Sequence, residues 1–280
     1  MKTLKKMEEL RLKALAGHAP AKANAAEPQD SDLEEFRRIY EQTILGDADT
    51  SRHVEADGFH PSMLGIYSGK CMRRAVYLLR GVEKVPNFDS RILRVFAVGH
   101  SIHERIQGII ESSNLEFEAE VPIVSEDPPI RGHADGIITL PWNGRKILLE
   151  IKSCNDNAFS ARLKWKKAKD EHFDQANIYA HLLGIDTIWI MYECKDNQNY
   201  EIFEHKTNAK KAEGIIKKWR LAYGIFQNGE IPERPYKSDS QACMSCDVRS
   251  VCLSDNEIGV KISATNSKES AELQDGEGAF

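Results

Sequence analysis

The sequence lacks any run of about 18 apolar residues, so a membrane-spanning helix is excluded. No N-terminal stretch carries the apolar core of a secretory signal, which points to the cytoplasm, or to the host cytoplasm if the gene is viral. There is no excess of positive charge: 38 Lys and Arg stand against 43 Asp and Glu, for a net charge of -5. A globally basic nucleic-acid coat is thereby excluded, whereas a local basic path on an acidic protein is not. Neither an internal repeat nor a base-reading motif is present. Cysteine is scarce, with 6 in 280 residues. So few thiols without a secretion signal argue against a disulfide scaffold. Cys243, Cys246 and Cys252 nevertheless fall close together, and clustered cysteines in a reducing compartment point to a metal.

The rest is patterned for a mixed α/β protein. Residues 1–17 read as a short amphipathic helix on Leu4, Met7 and Leu10, and His18 to Gln29 as a linker. Ser31 and Glu34 form a capping-box pattern ahead of an apolar face of Leu33, Phe36, Ile39 and Tyr40. His60-Pro61-Ser62 opens a further helix expected to carry Met63, Leu64, Tyr67 and Cys71. A long amphipathic helix is expected over 90–112. The period then changes, and 115–124, 130–140 and 145–153 read as three successive strands. A helix over 158–184, strands over 187–194 and 200–206, and a helix over 210–228 follow. Residues 229–255 read as irregular, and the polar, acidic tail from Asn256 as disordered. The expected division is an extension and linker over 1–55, a core domain over 56–255 and the tail over 256–280.

The most informative segment is Gly132-His133-Ala134-Asp135-Gly136 followed by Leu149-Glu150-Ile151-Lys152. Glu150 and Lys152 are two apart, so on one strand they share a face. Asp135 stands on the neighbouring strand. Ile147, Leu148, Leu149 and Ile151 make the Glu150 strand strongly apolar, and a carboxylate inside such a strand costs free energy unless it is paired or bound to a metal. Two carboxylates offer hard oxygen ligands suited to Mg²⁺ or Mn²⁺. A nearby ammonium suits metal-assisted phosphodiester hydrolysis.

This arrangement, Gly-X-X-Asp, a turn, then Glu-Ile-Lys-Ser, resembles the PD-(D/E)XK nuclease superfamily, with Asp135, Glu150 and Lys152 as the defining residues. Gly99-His100-Ser101-Ile102-His103 resembles the helical Gly-X-X-X-His motif of its RecB-like branch, which implies His103 as a metal ligand beside Asp135 and Glu150. Gln175-Ala176-Asn177-Ile178-Tyr179 is similar to that branch's Gln-X-X-X-Tyr motif, which adds Gln175 and Tyr179 to the catalytic set. The resemblance implies a restriction-endonuclease-like core, a mixed central β-sheet flanked by helices.

From spacing alone, Cys243-X2-Cys246-X5-Cys252 needs a fourth ligand, with Cys71, Cys154 and Cys194 all open, and zinc and iron–sulfur both fit. One early cysteine followed much later by this cluster resembles the iron–sulfur RecB-like nucleases, among them the CRISPR-associated RecB-like exonucleases and AddB-type enzymes. The segment Cys71-Met72-Arg73-Arg74-Ala75-Val76-Tyr77 matches their start. The resemblance implies a 4Fe–4S cluster, in preference to zinc, on Cys71, Cys243, Cys246 and Cys252, stapling a helical and irregular subdomain to the core.

Lys164, Trp165, Lys166 and Lys167 form a basic run with one aromatic, expected with Arg73 to contact DNA. The expected function is a metal-dependent DNA exonuclease acting on single strands or duplex ends in recombination, repair or replication. A CRISPR adaptation nuclease and a non-catalytic DNA-binding module are the alternatives. Asp275, Glu277 and Phe280 resemble the tips of single-strand-binding proteins, which implies a recombination or replication partner for the tail.

Overall fold

The structure is a computed structural model that describes residues 30–47, 57–66, 69–84, 89–255 and 259–261. The helix expected over 1–17, the linker after it, Tyr67, and the tail tip with Asp275, Glu277 and Phe280 lie outside the described residues. The chain divides into two units, Met1–Ile44 and Leu45–Phe280. The described part of the first belongs to helix α1 (Asp30–Asp47), which begins one residue before Ser31 and exposes Leu33, Phe36, Ile39 and Tyr40. No helix among the described residues is long and apolar enough to cross a membrane.

The second unit is a mixed α/β fold built on one five-stranded sheet in the order β1-β2-β3-β4-β5. Strands β1 (Glu116–Glu126), β2 (Pro129–Thr139) and β3 (Lys146–Cys154) form an antiparallel meander. Strand β4 (Thr187–Cys194) lies parallel to β3, and β5 (Tyr200–Lys206) returns antiparallel to β4. A parallel neighbour needs a long crossover, which here contains helices α4 (Asp156–Trp165) and α5 (Asp170–Leu183).

Strand β3 is the middle of the sheet and is buried on both faces, which explains its near-continuous apolar run. On one face, Ile147, Leu149 and Ile151 pack with Ile102 and Ile106 of helix α3 (Ser90–Glu111). On the other, Leu148, Ile188 and Ile190 pack with Ala176, Tyr179 and Ala180 of α5. Helix α3 starts where the Asp89 carboxylate accepts the Ile92 N–H at 2.8 Å. Residues 174–180 of α5 are buried on every side, because Ile178 faces a third core containing Phe59, Val76 and Trp219. Buried Asn177 exchanges two hydrogen bonds with the Asn208 backbone, at 2.7 and 3.0 Å, and so docks helix α6 (Ala209–Gln227).

Three elements depart from expectation. The helix expected over 158–184 is broken: Lys166 adopts a left-handed φ of 49°, and the Lys169 N–H donates to the Tyr192 hydroxyl at 3.0 Å before α5 begins. The helix expected from His60 through Cys71 is a short 3-10 helix, Pro61–Gly65, followed by a separate α2 (Met72–Leu79) with Cys71 at its N-cap. Gly69 lies so close to the 3-10 helix that a Cβ on it would collide with the Met63 carbonyl. The irregular stretch after α6 contains two short helices, α7 (Gln241–Met244) and α8 (Arg249–Ser254).

Candidate active site

Asp135 and Glu150 meet where β2 leaves β3. The ladder between these strands runs from the Thr139–Lys146 pair to the Gly136–Leu149 pair. One step further, the Asp135 side chain takes over from the backbone: its Oδ2 accepts the Ile151 N–H at 2.5 Å. Its Oδ1 lies 3.4 Å from His103 Nδ1, which reaches in from α3. Lys152 Nζ lies 2.5 Å from Glu150 Oε1 and donates to Gln175 Oε1 of α5 at 3.3 Å. The structure thus brings together His103, Asp135, Glu150, Lys152 and Gln175 from four separate elements.

Glu150 is 0 % exposed; the Lys152 ammonium holds its Oε1, and its Oε2 has no partner. Burial pushes the Glu150 carboxyl above the ordinary range, against the pull of Lys152. Lys152 is itself partly desolvated, yet the charges of Glu150 and Asp135 hold its ammonium above its usual value. Burial pulls the His103 imidazole down, but its hydrogen bond to Asp135 and the charge there leave it raised overall. Four ionisable groups therefore neutralise one another in a largely buried setting.

Among the described residues, no three His, Cys, Asp or Glu side chains stand in an arrangement that would hold a metal ion as they are. His103 and Asp135 are paired with each other, and Glu150 with Lys152. The donor chemistry nonetheless fits a hard divalent cation. A fully buried carboxylate with one oxygen left without a partner is the group that such an ion would relieve.

Tyr179 stands behind this set. It is almost wholly buried, its ring fills the space that a Cβ on Gly132 would take, and its hydroxyl lies against the Gln175 side chain and the Ser62 backbone. Its hydroxyl is thus buried beside Gln175. His172 belongs to no motif, yet it stands beside the site. It lies one turn before Gln175, its Nδ1 is 2.8 Å from the Tyr192 hydroxyl, and Tyr192 is the β4 neighbour of Lys152. Burial first, and then the charges of Lys152, Lys169 and Arg162, lower His172 to about 3, so it is a neutral imidazole. The helical spacing of 172, 175 and 179 was the signal that could have found it.

The four cysteines Cys71, Cys243, Cys246 and Cys252 line one cavity of about 240 Å³ with Tyr236 and Arg74. All six cysteines are free thiols. Burial, with smaller contributions from the charges of Cys246 and Cys252, raises Cys71 to about 11. Cys154 and Cys194 stand elsewhere, as neighbours on β3 and β4. Arg73 corrects an expectation: it is 1 % exposed, and its guanidinium donates to the Pro232 carbonyl at 2.9 Å and to the Tyr77 hydroxyl and Asp255 carboxylate at 3.1 Å each. It is an internal clamp, because three partners and full burial keep it from any phosphate. Arg74 similarly forms a bidentate pair with Asp247 at 2.6 and 2.7 Å. Lys164, Trp165, Lys166 and Lys167 are all exposed at the end of α4, with Trp165 stacked on the buried Arg162 guanidinium at 4.9 Å.

No protein-family model matches the sequence, and no curated protein matches it. Among solved structures the chain is similar to SSO0001, at 17% identity and a TM-score of 0.49, over 78% of this chain and 97% of that one. It is similar to LHK-Exo in complex with dAMP, at 17% identity and a TM-score of 0.48, over 63% of this chain and 91% of that one. A further similar structure is an alkaline exonuclease (LHK-Exo) from Laribacter hongkongensis, at 14% identity and a TM-score of 0.47, with the same coverage.

Proposed function

We propose that this chain is a divalent-metal-dependent deoxyribonuclease that hydrolyses phosphodiester bonds at single strands or duplex ends, in recombination, repair or replication. The observation that carries this is Glu150, a carboxylate fully buried in the central strand with one oxygen held by Lys152 and the other without a partner, beside Asp135 and His103. A carboxylate with a structural role alone would have both oxygens satisfied; a metal ligand has reason to keep Oε2 open.

In this reading Asp135, Glu150 and His103 hold Mg²⁺ or Mn²⁺, whose Lewis acidity would act on a phosphoryl oxygen. Lys152, aligned by Gln175, holds its proton and places positive charge where negative charge develops. Tyr179 keeps Gln175 in place. Lys164, Trp165, Lys166 and Lys167 form the DNA path, with Trp165 available for base stacking.

We further infer that Cys71, Cys243, Cys246 and Cys252 hold a 4Fe–4S cluster that joins the start of the domain to its end. Four thiols on one cavity, with the early one raised by burial and by its neighbours' charge, are a donor set that a cationic centre would stabilise. The same proposal keeps a domain over 56–255 and a tail that docks a recombination or replication protein.

The test is digestion of single-stranded and duplex DNA labelled separately at each end, with Mg²⁺, with Mn²⁺ and with chelator. Metal-dependent release of short products supports the reading. Intact DNA under all conditions, from protein that retains its metal centre and fold, refutes it.

A further inference from the structure

Asp135 lies at a break in the sheet. On β1, Phe117 packs against the α3 face of the sheet, whereas Val121 packs against the α5 face. Simple alternation would put 117 and 121 on the same side. The switch falls at Glu120, a non-glycine residue with φ of 50°. Strand β2 switches alongside it: Ala134 belongs to the α5 core and Ile138 to the α3 core. Gly136 accommodates the change, because a Cβ there would collide with the Phe117 ring. Left-handed backbone at a charged residue costs on the order of 1 kcal/mol and persists only where the surroundings impose it.

The side chain that meets both strands at this switch is Gln107. This side chain is only 8 % exposed, on α3. Its single Nε2 donates to Glu120 Oε1 at 2.7 Å and to the Asp135 main-chain carbonyl at 2.8 Å. Gly99, His103 and Gln107 recur every four residues and so share one stripe of α3. Successive turns of the helix thus grip one aspartate at two points, His103 at its carboxylate and Gln107 at its backbone. The Ile151 N–H fixes the remaining carboxylate oxygen.

We propose that Gln107 is a positioning residue for the metal site. By tying the Asp135 carbonyl to the kinked Glu120, it sets the direction in which the Asp135 carboxylate leaves the sheet. Glu120 is its acceptor partner and touches no reacting atom. This rests on the nuclease reading for its consequence, while the clamp itself is a property of the metal-free fold. Outer partners that orient a metal ligand typically contribute about 10–100-fold to metal affinity or activity.

The test uses the full chain with Gln107→Met, which keeps volume and removes the donor, and Glu120→Gln, which keeps the acceptor. Two readouts are taken: Mn²⁺ binding by calorimetry, and hydrogen exchange at the Ile151 amide without metal. Gln107→Met is expected to weaken Mn²⁺ binding about tenfold or more and to speed Ile151 exchange, with the melting temperature little changed. Glu120→Gln should stay close to wild type in both. If Gln107→Met does not fold, Glu120→Ala, at an exposed position, replaces it with the same expectation. Wild-type Mn²⁺ affinity and unchanged Ile151 exchange in these variants would overturn the positioning role alone. Faster exchange in a protein whose wild type binds no Mn²⁺ would overturn the nuclease reading and, with it, the role assigned to Gln107, leaving only the clamp.

Discussion

The sheet site and the cysteine cavity use buried charge in opposite ways. At the sheet site, Asp135, Glu150, Lys152 and His103 converge on one another, and Glu150 keeps one oxygen without a partner. Around the cysteines, Arg73 and Arg74 are just as deeply buried, yet both guanidiniums are engaged, Arg74 by two short bonds to Asp247 and Arg73 by three partners. Each arginine joins positions more than 150 residues apart in sequence, as in the Arg73–Pro232 and Arg74–Asp247 bonds. A carboxylate oxygen left without a partner is available to a ligand; a guanidinium bonded across the chain stabilises the fold, even though Arg73 Nε has no partner. Substitutions at the first region should therefore cost activity, and at the second, stability.

The strongest test of that contrast is Cys71→Ala. The cluster proposed there closes a loop running from before the sheet to the end of the domain, and by analogy with a crosslink its loss should cost on the order of 4–5 kcal/mol. The protein should lose its brown colour and its iron and unfold at lower denaturant, while Cys154→Ala and Cys194→Ala stay coloured. Stoichiometric zinc without iron would change the metal and keep the ligand set. A Cys71→Ala protein with full metal content and stability would break the ligand set itself.

Glu150→Gln is the matching test at the sheet. Cleavage should fall at least about a thousandfold, equivalent to about 4 kcal/mol of barrier. The melting temperature should fall by less than in Asp247→Ala, because Lys152 loses its ion partner but keeps Gln175 and a partly exposed ammonium. Wild-type cleavage by Glu150→Gln, measured on end-labelled DNA, would end the separation of roles.

Asp247→Ala sharpens the comparison from the other side. It strands the buried Arg74 guanidinium, for an expected loss of about 3 kcal/mol in urea unfolding. The cleavage rate of the folded fraction should not move. A rate loss without a stability loss would place this arginine pair in the wrong class.

The smallest effect is expected on the DNA path. Trp165→Ala should weaken single-stranded DNA binding, read by fluorescence anisotropy, by about 1–2 kcal/mol. An unchanged affinity would leave Trp165 as a surface ring stacked on Arg162 and nothing more.

Much of this was legible in the chain before it folded. The five strands and the long helix at 90–112 follow from two periodicities, 2 and 3.6, that local geometry enforces. Glu150 and Lys152 share a face for the same reason, and the cysteine cluster is visible as spacing. Breaks were not legible. Lys166 in a left-handed conformation carries no glycine to announce it, and the helix it ends is interrupted because the Tyr192 hydroxyl, from a strand later in the chain, takes the Lys169 N–H.

Residue roles divide along the same line. Sequence alone determined which charged residues sit inside an apolar strand, because side-chain alternation is a property of the backbone itself. Only the tertiary structure decided which charges are satisfied. Arg73 and Lys164 are both cations near an aromatic residue in sequence, yet one is buried against Pro232 and Asp255 and the other is exposed at a helix end. His172 joined the site, and Gln107 gripped Asp135, through contacts that cross 20 or more residues. Burial and hydrogen-bond partners at that range depend on how the helices pack on the sheet, which no local pattern encodes.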